Sequence, residues 1–417
     1  MTTNRKAEII CVGTELLLGQ IVNTNAAWLA RELSLLGIHS YYQTVVGDNP
    51  GRLADCIRQA IGRSDIILLT GGLGPTQDDI TMAVASSVAG LPLKLHEPSR
   101  AAIADYFQRM GRFQVTSNNW KQAMLPDPCI VMPNSNGTAP GAILETRQGD
   151  RTVHLVLLPG PPSEMTVMFR DQAAPWLQAQ TTARLRHVFV HMIGIGESAA
   201  ETALSDLIER QSPTLAPYAS EGEVVFRITQ AVASDDEPDT TQAMLDEVKR
   251  RVGQHIYEVG MRTMPEVVRD LLIAKNQTVS YAESCTGGLA TGQLTDFPGA
   301  SRVLKGSLVA YANGIKQELL NVPVELLERE GAVSEACAAR MAEGCRRLFS
   351  TDWAVAITGI AGPDGGSDDK PIGTVWLAVS GPDGTVTQQL RQGGNRARIR
   401  KVSALKAHDL LRQQLVK

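Results

Sequence analysis

The chain has 417 residues, of which 43% are hydrophobic and 20% charged, with a formal net charge of −4. This length exceeds what one ordinary core accommodates, so two or three domains are expected. The negative balance and the low aromatic content of 5% speak against a nucleic-acid surface made of bulk positive charge or stacked rings. We therefore expect a globular protein without a nucleic-acid partner.

The beginning of the sequence runs directly into a short apolar segment at residues 9–13, which lacks the length of a signal peptide or a membrane span. This predicts a cytoplasmic protein without a membrane partner. The cysteines are scattered without any Cys-x-x-Cys pair, so neither a disulfide framework nor a structural zinc site is indicated. We expect most of them to be small buried side chains. The six are Cys11, Cys56, Cys129, Cys285, Cys337 and Cys345.

Residues 1–170 alternate apolar, strand-like segments with helical patterns. Helices are predicted from about Asn25 to Leu36 and from about Arg52 to Ile61, between the segments AEIICVG, IHSYYQTVV and DIILLTGG. Such alternation is typical of a parallel sheet covered by helices on both faces. Ligands of these sheets gather at the carboxyl ends of the strands.

The loop after DIILL combines closely spaced glycines with acidic residues. Backbone amides of such a loop can hold phosphate oxygens, and Asp78 or Asp79 can hold a divalent metal ion directly or through water. The alternative is a helix N-terminus whose acidic first turn complements the helix dipole. The candidate ligand-binding residues of this loop are Gly71, Gly72, Gly74 and Thr76.

Two further turn-rich segments of this domain follow apolar segments. They add Asn136, Gly137, Gly160 and Ser163 as candidate binding residues. Ser163 and its neighbour Glu164 are equally suited to capping a helix.

The sequence pattern of residues 171–258 predicts a small α+β connector domain. His187 and His191 share a face of its first predicted strand, because side chains alternate along a strand. A metal pair is one reading. Two partly exposed histidines are the favoured reading, since no third ligand is near in sequence.

Residues 259–417 again read as α/β, with mixed strands near the end. The sequence ESCTGG at Glu283–Gly288 ends one apolar segment and begins a helical pattern. Ser284 or Cys285 can be a nucleophile, the glycine pair can receive an anion at the helix N-terminus, or the loop is only a capped helix start. These residues alone leave the three readings open.

Downstream, Tyr311, Asn313 and Lys316 fall at the end of the next predicted strand and in the turn that follows. A serine hydroxyl needs a base, and a partly desolvated lysine can serve, with a tyrosine orienting or relaying the proton. A surface lysine on a helix is the alternative.

The same end of the predicted sheet receives another glycine-rich loop and two arginines. Arg396 and Arg400 lie one turn apart on the last predicted helix and suit a phosphate or carboxylate, although a solvated basic face is the alternative. The candidate substrate-binding residues of this domain are Glu283, Thr286, Gly287, Gly288, Ser301, Asn313, Thr358, Gly359, Gly362, Arg396 and Arg400.

Three motifs, AESCTGG, YAN with Lys316, and TGIAGPDGG followed by KPIGTVW, resemble the C-terminal domain of the competence/damage-inducible protein A (CinA) family. The resemblance implies a nicotinamide-nucleotide amidase without a cofactor, in which Ser284 attacks the carboxamide of nicotinamide mononucleotide. Lys316 and Tyr311 would activate it, Cys285 would be a bystander, and Ser301 matches a position important in the amidase. Water would then release nicotinate mononucleotide and ammonia.

This chain departs from the family motifs at Ala300, where a second serine is common, and at Gly314, where an acidic residue is frequent. The N-terminal motifs, including GTELLLGQIVNTN, resemble the molybdopterin-binding-like domain that opens CinA proteins. That resemblance implies metal-dependent hydrolysis of ADP-ribose to AMP and ribose 5-phosphate, with Asp78 and Asp79 at the metal. Fold relatives bind molybdopterin instead, and fold alone does not choose between these.

Together these observations predict a cytoplasmic, homodimeric enzyme of pyridine-nucleotide salvage with two activities. An N-terminal molybdopterin-binding-like α/β domain would act on ADP-ribose, and a C-terminal α/β amidase domain on nicotinamide mononucleotide, with the small α+β connector between them. The alternative is a nucleotide- or pterin-binding regulatory protein linked to competence, without turnover.

Overall fold

The structure is a computed structural model that describes residues 5–111, 115–181, 184–232 and 236–417. The described residues up to Arg186, with those between Ala231 and Pro238, form one compact unit. His187–Gln230 and Asp239–Lys417 form the other. None of the helices in these described ranges is both long and apolar enough to cross a membrane.

The first unit contains a six-stranded sheet, in the order β2-β1-β3-β8-β7-β6, and a separate pair β4-β5. Its strands are β1 Lys6–Val12, β2 His39–Val46, β3 Ile66–Thr70, β4 Leu93–Leu95, β5 Met124–Pro126, β6 Ile130–Met132, β7 Gly141–Gln148 and β8 Arg151–Leu158. Its helices are α1 Thr14–Leu17, α2 Thr24–Leu35, α3 Pro50–Arg63, α4 Thr81–Ala89, α5 Glu97–Arg109, α6 Ser117–Trp120, α7 Pro162–Met168 and α8 Ala174–Ala179.

The strands at the centre of this sheet are almost entirely apolar because helices cover both faces. Leu29 and Leu33 of α2 pack on one face together with α7, and Leu53 and Ile57 of α3 pack on the other with α4. Helix α3 begins at a proline, and the side chain of Asn49 caps it by accepting a hydrogen bond from the Arg52 amide at 3.0 Å. The predicted doubly covered α/β sheet is confirmed.

Parallel pairing brings the ends of several strands to one edge of the sheet. Strand β1 pairs in parallel with β2 and β3, and β3 pairs in parallel with β8, whereas β7 and β6 add antiparallel strands at one side. The Gly13 amide donates to Val46 at 2.9 Å, and the Gly71 amide to Leu158 at 3.1 Å. The loops after β1, β2, β3 and β8 therefore meet at the carboxyl edge.

The connector forms a four-stranded sheet in the order β10-β11-β9-β12. Its strands are β9 Arg184–Met192, β10 Thr214–Ser220, β11 Glu223–Val232 and β12 Ile256–Val259, and its helices are α9 Glu197–Ile208 and α10 Thr241–Val252. The chain order βαββαβ with this strand order is the ferredoxin-like arrangement. This agrees with the predicted α+β class.

The remaining part of the second unit is a five-stranded sheet in the order β14-β13-β15-β16-β17. Its strands are β13 Val279–Glu283, β14 Leu304–Val309, β15 Trp353–Gly359, β16 Thr374–Gly381 and β17 Gly384–Arg391. Its helices are α11 Met264–Lys275, α12 Leu289–Thr295, α13 Asn313–Leu320, α14 Val324–Glu330, α15 Glu335–Phe349 and α16 Arg396–Leu415. Strands β14, β13 and β15 are parallel, and β16 and β17 run antiparallel.

Helix α15 covers one face of this sheet, and α11 with α16 covers the other. Because β13, β14 and β15 are parallel, their carboxyl ends share one edge. Helix α16 begins after β17, which ends at that same edge because it runs antiparallel to β16. The predicted α/β class of this domain, including its mixed strands, is confirmed.

Candidate functional site

The carboxyl edge of the five-stranded sheet brings together most of the C-terminal residues selected from sequence. Ser284 follows β13, Tyr311 and Lys316 follow β14, and the loop from Ile360 to Gly366 follows β15. Ligand sites of open α/β sheets form at this edge. The topology thus places a serine, a lysine and a glycine-rich loop side by side.

The central feature of this edge is a contact between Ser284 and Lys316. Lys316 lies in α13 and is only 1% exposed. Its Nζ is 3.4 Å from Ser284 Oγ, and it donates to the carbonyl oxygens of Ala310 at 2.8 Å and Tyr311 at 3.2 Å. The alternative of a solvated surface lysine is therefore wrong for this residue.

Burial lowers the pKa of the Lys316 amine, because desolvation disfavours the ammonium form. A neutral amine has two N–H bonds and one lone pair. The two backbone carbonyls accept those two hydrogens, which leaves the lone pair for the Ser284 hydroxyl. The pair has the geometry of a nucleophile and its general base, at a separation typical of an unliganded site.

Tyr311 meets Lys316 through its backbone and not through its phenol. The phenolic oxygen accepts a hydrogen bond from Arg396 Nη2 at 3.1 Å, and the side chain is 61% exposed. The carbonyl of Tyr311 is one of the two acceptors that orient the lysine amine. The structure thus places the phenol beside the arginine at the beginning of α16.

Two arginines of α16 reach the loops around Ser284. Arg396 Nη1 donates to the Gly362 carbonyl at 2.7 Å, and Arg400 Nη2 donates to the Thr286 carbonyl at 2.7 Å. The positive end of the α16 dipole lies at the same place. This edge is therefore cationic and suits a phosphate group.

Glu283 is fully buried, and its carboxylate is saturated by the protein itself. Oε2 accepts from the amides of Gly288 at 3.0 Å and Ala290 at 3.1 Å. Oε1 accepts from the amide of Thr291 at 2.8 Å and its hydroxyl at 2.6 Å. Glu283 therefore fixes the loop and the start of α12. Both of its carboxylate oxygens already accept hydrogen bonds from the protein, so neither is free for the predicted contact with substrate.

Other predicted residues determine the backbone conformation and packing of these loops. Gly287 and Gly288 have φ values of 60° and 91°, which only glycine adopts readily, and the hydroxyl of Thr286 is buried. The Thr358 hydroxyl donates to the Ala332 carbonyl at 2.8 Å, and Gly359 packs against Val375 of β16. Of these, Thr286 lies closest in sequence to Ser284.

Two predicted residues are placed differently. Ser301 lies in a short turn before β14, where the Val279 amide donates to the Val303 carbonyl at 2.8 Å, and this is the amino end of β13. Ser284 follows the carboxyl end of that strand, so one chain does not bring these two serines together. Asn313 is exposed at the first residue of α13, on the same edge as Tyr311.

Cys285 is buried and follows Ser284 directly in the chain. Burial raises the pKa of its thiol to about 12, so the reactive thiolate form is disfavoured. All six cysteines are free, and Cys11, Cys285, Cys337 and Cys345 are buried, as predicted for most of them. In the connector, His187 lies 3.0 Å from the Thr229 hydroxyl, and His191 lies 3.7 Å from a carboxylate oxygen of Glu223.

The carboxyl edge of the six-stranded sheet holds a cavity of about 560 Å³. The predicted residues Gly71, Gly72, Gly74 and Gly160 line it. A Cβ at Gly71, whose φ is 101°, would collide with the Val12 carbonyl oxygen, and one at Gly74 would collide with the Asp79 carboxylate. These glycines allow the close packing of loops that forms the cavity wall.

The two predicted metal ligands differ in their surroundings. Asp79 Oδ2 accepts hydrogen bonds from the amide of Thr76 at 2.8 Å and from its hydroxyl. Asp78 is exposed on the cavity wall, and hydrogen bonding with Thr76 lowers its pKa. Both carboxylates line the cavity, but Asp79 also orders the loop through Thr76, whereas Asp78 is exposed.

Within the described residues, no group of three or more His, Cys, Asp or Glu side chains is arranged to hold a metal ion. A magnesium-type site needs fewer protein ligands, because such ions keep several waters and bind through one or two carboxylates and substrate phosphates. Asp78 fits that role. A closed cage made of protein ligands alone does not fit this cavity.

Sequence reasoning missed several polar residues of the cavity wall, among them Glu15, Asn25 and Asp48. Asn25 Nδ2 donates to the Gly160 carbonyl at 2.7 Å, and Asp48 accepts from the amide and hydroxyl of Thr14 at 2.9 Å and 2.8 Å. Glu15 and Asp48 follow the ends of β1 and β2 closely, and this position was the available signal, whereas Asn25 lies in α2.

Asn136, Gly137 and Ser163 lie next to this wall. Asn136 Nδ2 donates to the Ser163 carbonyl at 3.0 Å, and Gly137 packs closely on the Glu164 carboxylate. Glu164 also accepts from Asn134 Nδ2 at 2.6 Å and lines the cavity. This segment supports one carboxylate of the wall.

Comparison with known families matches all three parts of the chain. The family described as CinA C-terminal domain matches residues 261–415, the one described as probable molybdopterin binding domain matches residues 8–179, and the damage-inducible protein CinA KH domain matches residues 187–257. A CinA-like protein from Dictyoglomus thermophilum is 45% identical over 413 residues, 99% of each chain. The chain belongs to the CinA family.

Other CinA relatives extend this likeness. A CinA-like protein from Synechococcus sp. is 46% identical over 421 residues and covers 100% of both chains. The crystal structure of competence/damage inducible protein CihA from Agrobacterium tumefaciens is 37% identical, covers 38% of this chain and 98% of that chain, and has a TM-score of 0.36.

The segment that matches the CinA KH domain differs from other KH domains in one loop motif. Residues 187–257 contain no Gly-x-x-Gly, the loop that clamps the nucleic-acid backbone in KH domains. The connection between β9 and α9 is Gly194-Ile195-Gly196 instead.

Proposed function

We propose that the site at the carboxyl edge of the five-stranded sheet in this CinA-family chain deamidates nicotinamide mononucleotide. The observation that carries the proposal is the buried Lys316 amine, with Nζ 3.4 Å from Ser284 Oγ and two N–H bonds held by backbone carbonyls. A lysine whose pKa is lowered by burial is a suitable base for a serine hydroxyl.

In the proposed reaction, Ser284 Oγ attacks the carboxamide carbon while its proton passes to Lys316 Nζ. The resulting ammonium then donates that proton to the leaving nitrogen, so the C–N bond breaks and ammonia departs. An ester on Ser284 remains. Water then attacks the ester carbonyl and gives a proton to the same amine. The resulting ammonium returns that proton to Ser284 Oγ as the C–Oγ bond breaks, which releases nicotinate mononucleotide.

The 5′-phosphate of the substrate fits the cationic beginning of α16. Arg396 and Arg400 already touch the loops after β13 and β15 and lie at the positive end of the helix dipole. In this proposal the Tyr311 carbonyl orients the lysine amine, and its phenol, bonded to Arg396, lies on the phosphate side.

The test is ammonia release from nicotinamide mononucleotide by purified protein. Ser284→Ala should abolish the release while nucleotide binding persists, because one hydroxyl is lost and the cationic loops remain. Cys285→Ala, which changes the neighbouring buried side chain, is the matched control and should retain most activity. Near-parental ammonia release by the Ser284 variant would refute the serine mechanism.

The N-terminal cavity supports a second candidate function, hydrolysis of ADP-ribose to AMP and ribose 5-phosphate. Its support is a nucleotide-sized cavity whose wall combines glycine-rich loops with the exposed carboxylate of Asp78. A divalent cation bound there would neutralise charge developing on the diphosphate. Asp78 would contact it, Asp79 would order the loop, and the glycine-rich backbone would accommodate the phosphates.

AMP formation from ADP-ribose across a titration of divalent metal tests this second function. The Asp78→Asn/Asp79→Asn double variant keeps side-chain volume but removes both charges, so the rate should fall by orders of magnitude while ammonia release is unchanged. Equal, metal-independent rates in parent and variant would leave this domain as a binding module. Saturable nucleotide binding without turnover at either site would favour the regulatory alternative.

A further inference from the structure

Four aliphatic side chains, one at the end of α1 and three in the segment between α1 and α2, project into solvent. Leu17, Leu18, Ile21 and Val22 are each more than half exposed, and Val22 is 82% exposed. We refer to these four residues as the apolar rim. Contiguous exposed apolar patches on a protein surface mark binding sites more often than chance exposure does.

The protein holds this segment in place at both ends. On one side, Asp48 accepts hydrogen bonds from the amide and hydroxyl of Thr14. On the other, Asn23 Oδ1 accepts from the Ala26 amide at 3.1 Å and caps α2, and the Thr24 amide donates to the Val22 carbonyl at 2.8 Å. The exposure of the rim is therefore built into an anchored loop.

The apolar rim continues into the N-terminal cavity, because Ile21 and Val22 also line the cavity. The rest of the lining includes five carboxylates, from Glu15, Asp48, Asp78, Asp79 and Glu164. None of the described residues that line the cavity is a lysine, arginine or histidine. The cavity thus has an acidic part and an aliphatic part.

This division matches a ligand with two chemically different ends. A diphosphate can enter the acidic part only with a cation, since like charges repel and no basic side chain lines it. An uncharged planar ring attached to that diphosphate can bury its apolar face on the rim. Four aliphatic side chains offer far less than the roughly 800 Å² per partner of a stable protein interface, which argues against a second copy as the occupant.

We infer that the apolar rim is the subsite for the base of a nucleoside diphosphate whose metal-bound diphosphate occupies the acidic part of the same cavity. This inference rests on the proposed ADP-ribose function and specifies how its substrate is held. Aliphatic side chains carry no hydrogen-bond donor or acceptor. The rim therefore binds the base without distinguishing adenine from guanine.

The experiment measures binding by titration calorimetry with magnesium present and without turnover. The probes are α,β-methylene-ADP and methylenediphosphonate, which share a non-hydrolysable diphosphate and differ by the nucleoside. The rim variant is Ile21→Ser/Val22→Ser, and the control is Leu319→Ser/Val416→Ser, two exposed aliphatic residues of the other unit.

The rim variant should bind α,β-methylene-ADP about tenfold more weakly, the effect expected from losing roughly 50 Å² of apolar contact. Its affinity for methylenediphosphonate should equal that of the parent. The control variant should match the parent with both probes. The parent should bind α,β-methylene-GDP with an affinity within about threefold of that for α,β-methylene-ADP. A tenfold difference in affinity would need a contact that distinguishes the two bases.

Four results would overturn the inference. Equal losses for both probes would mean that the rim only supports the cavity, and unchanged binding of α,β-methylene-ADP would leave the ADP-ribose function intact but move the base elsewhere. A change in sedimentation of the rim variant would assign the rim to a second copy of the chain. Failure of the parent to bind either probe would remove the proposed function as well.

Discussion

Replacing Lys316 by methionine tests the central geometry of the C-terminal site. Methionine has a similar length and tolerates burial, but it has no lone pair that accepts the Ser284 proton and no N–H for the carbonyls of Ala310 and Tyr311. The variant thus removes the base while keeping the packing of α13 against α15 nearly unchanged.

The magnitude follows from the two roles of the amine. Loss of a positioned general base lowers kcat by about 10²–10⁴-fold. The two carbonyls left without a donor destabilise the fold by about 1–3 kcal/mol each, and removal of a desolvated amine offsets part of that cost. We expect kcat to fall at least about a hundredfold, KM to change little, and the protein to remain folded.

The pH dependence provides an independent signature. Burial lowers the pKa of Lys316, so the neutral, basic amine appears at a lower pH than for an exposed lysine. The parent kcat/KM for ammonia release should therefore rise with pH through this lowered pKa, and the variant should lack that rise. Lys316→Arg keeps a positive charge but stays protonated, so it should be inactive too.

The assay is ammonia release from nicotinamide mononucleotide between pH 6 and pH 10, with thermal unfolding of each variant as a check on folding. Lys305→Met, at an exposed lysine of β14, is the matched control and should behave as the parent. A Lys316→Met variant that is folded and retains the parental rate and pH profile would refute the assignment of Lys316 as the base.

Three further expectations concern the second unit. Glu283→Gln replaces an oxygen that accepts hydrogen bonds with an NH₂ group that faces N–H donors. The free energy of unfolding by urea should therefore fall by about 1–3 kcal/mol, and ammonia release should fall with it. Unchanged stability would contradict the interpretation that the protein's own donors saturate this carboxylate. Burial lowers the pKa of His408 to about 4, so as the pH falls the unfolded chain binds a proton before the folded chain does. The free energy of unfolding should therefore decrease by about 3 kcal/mol between about pH 6.5 and pH 4. In His408→Gln, the urea midpoint should no longer depend on pH in this range. A fragment that begins near Met261 should deamidate nicotinamide mononucleotide unaided, and a folded but inactive fragment would show that the connector contributes to the site.

The sequence by itself determined the α/β class and the location of both candidate sites. Segments such as DIILL and VSYAE consist mainly of apolar residues because helices cover both faces of their sheets, and glycine-rich loops follow them. The carboxyl ends of parallel strands share an edge whatever the details of packing. The motifs after β3 and β13 therefore had to lie at such edges, and the family likeness was readable from the same loops.

Side-chain direction and burial were decided only by tertiary structure. The sequence left Lys316 open between a base and a surface residue, and its burial comes from α13 lying against α15, which follows it in the chain. Glu283 was expected to contact substrate, but the amides at the start of α12 surround its carboxylate. Ser301 is close to Ser284 in sequence, yet a parallel crossover returns the chain to the opposite edge of the sheet before β14 begins.

The acidic cavity of the first unit has the same origin. Glu15, Asp48 and Asp78 come from loops after three different strands, and no spacing along the chain relates them. They line one cavity because β1, β2 and β3 are neighbours in the sheet, and neighbour order is fixed by the packing of the helices that connect the strands. Local sequence thus determines which loops carry chemistry, whereas strand order and helix packing determine which of their side chains face each other.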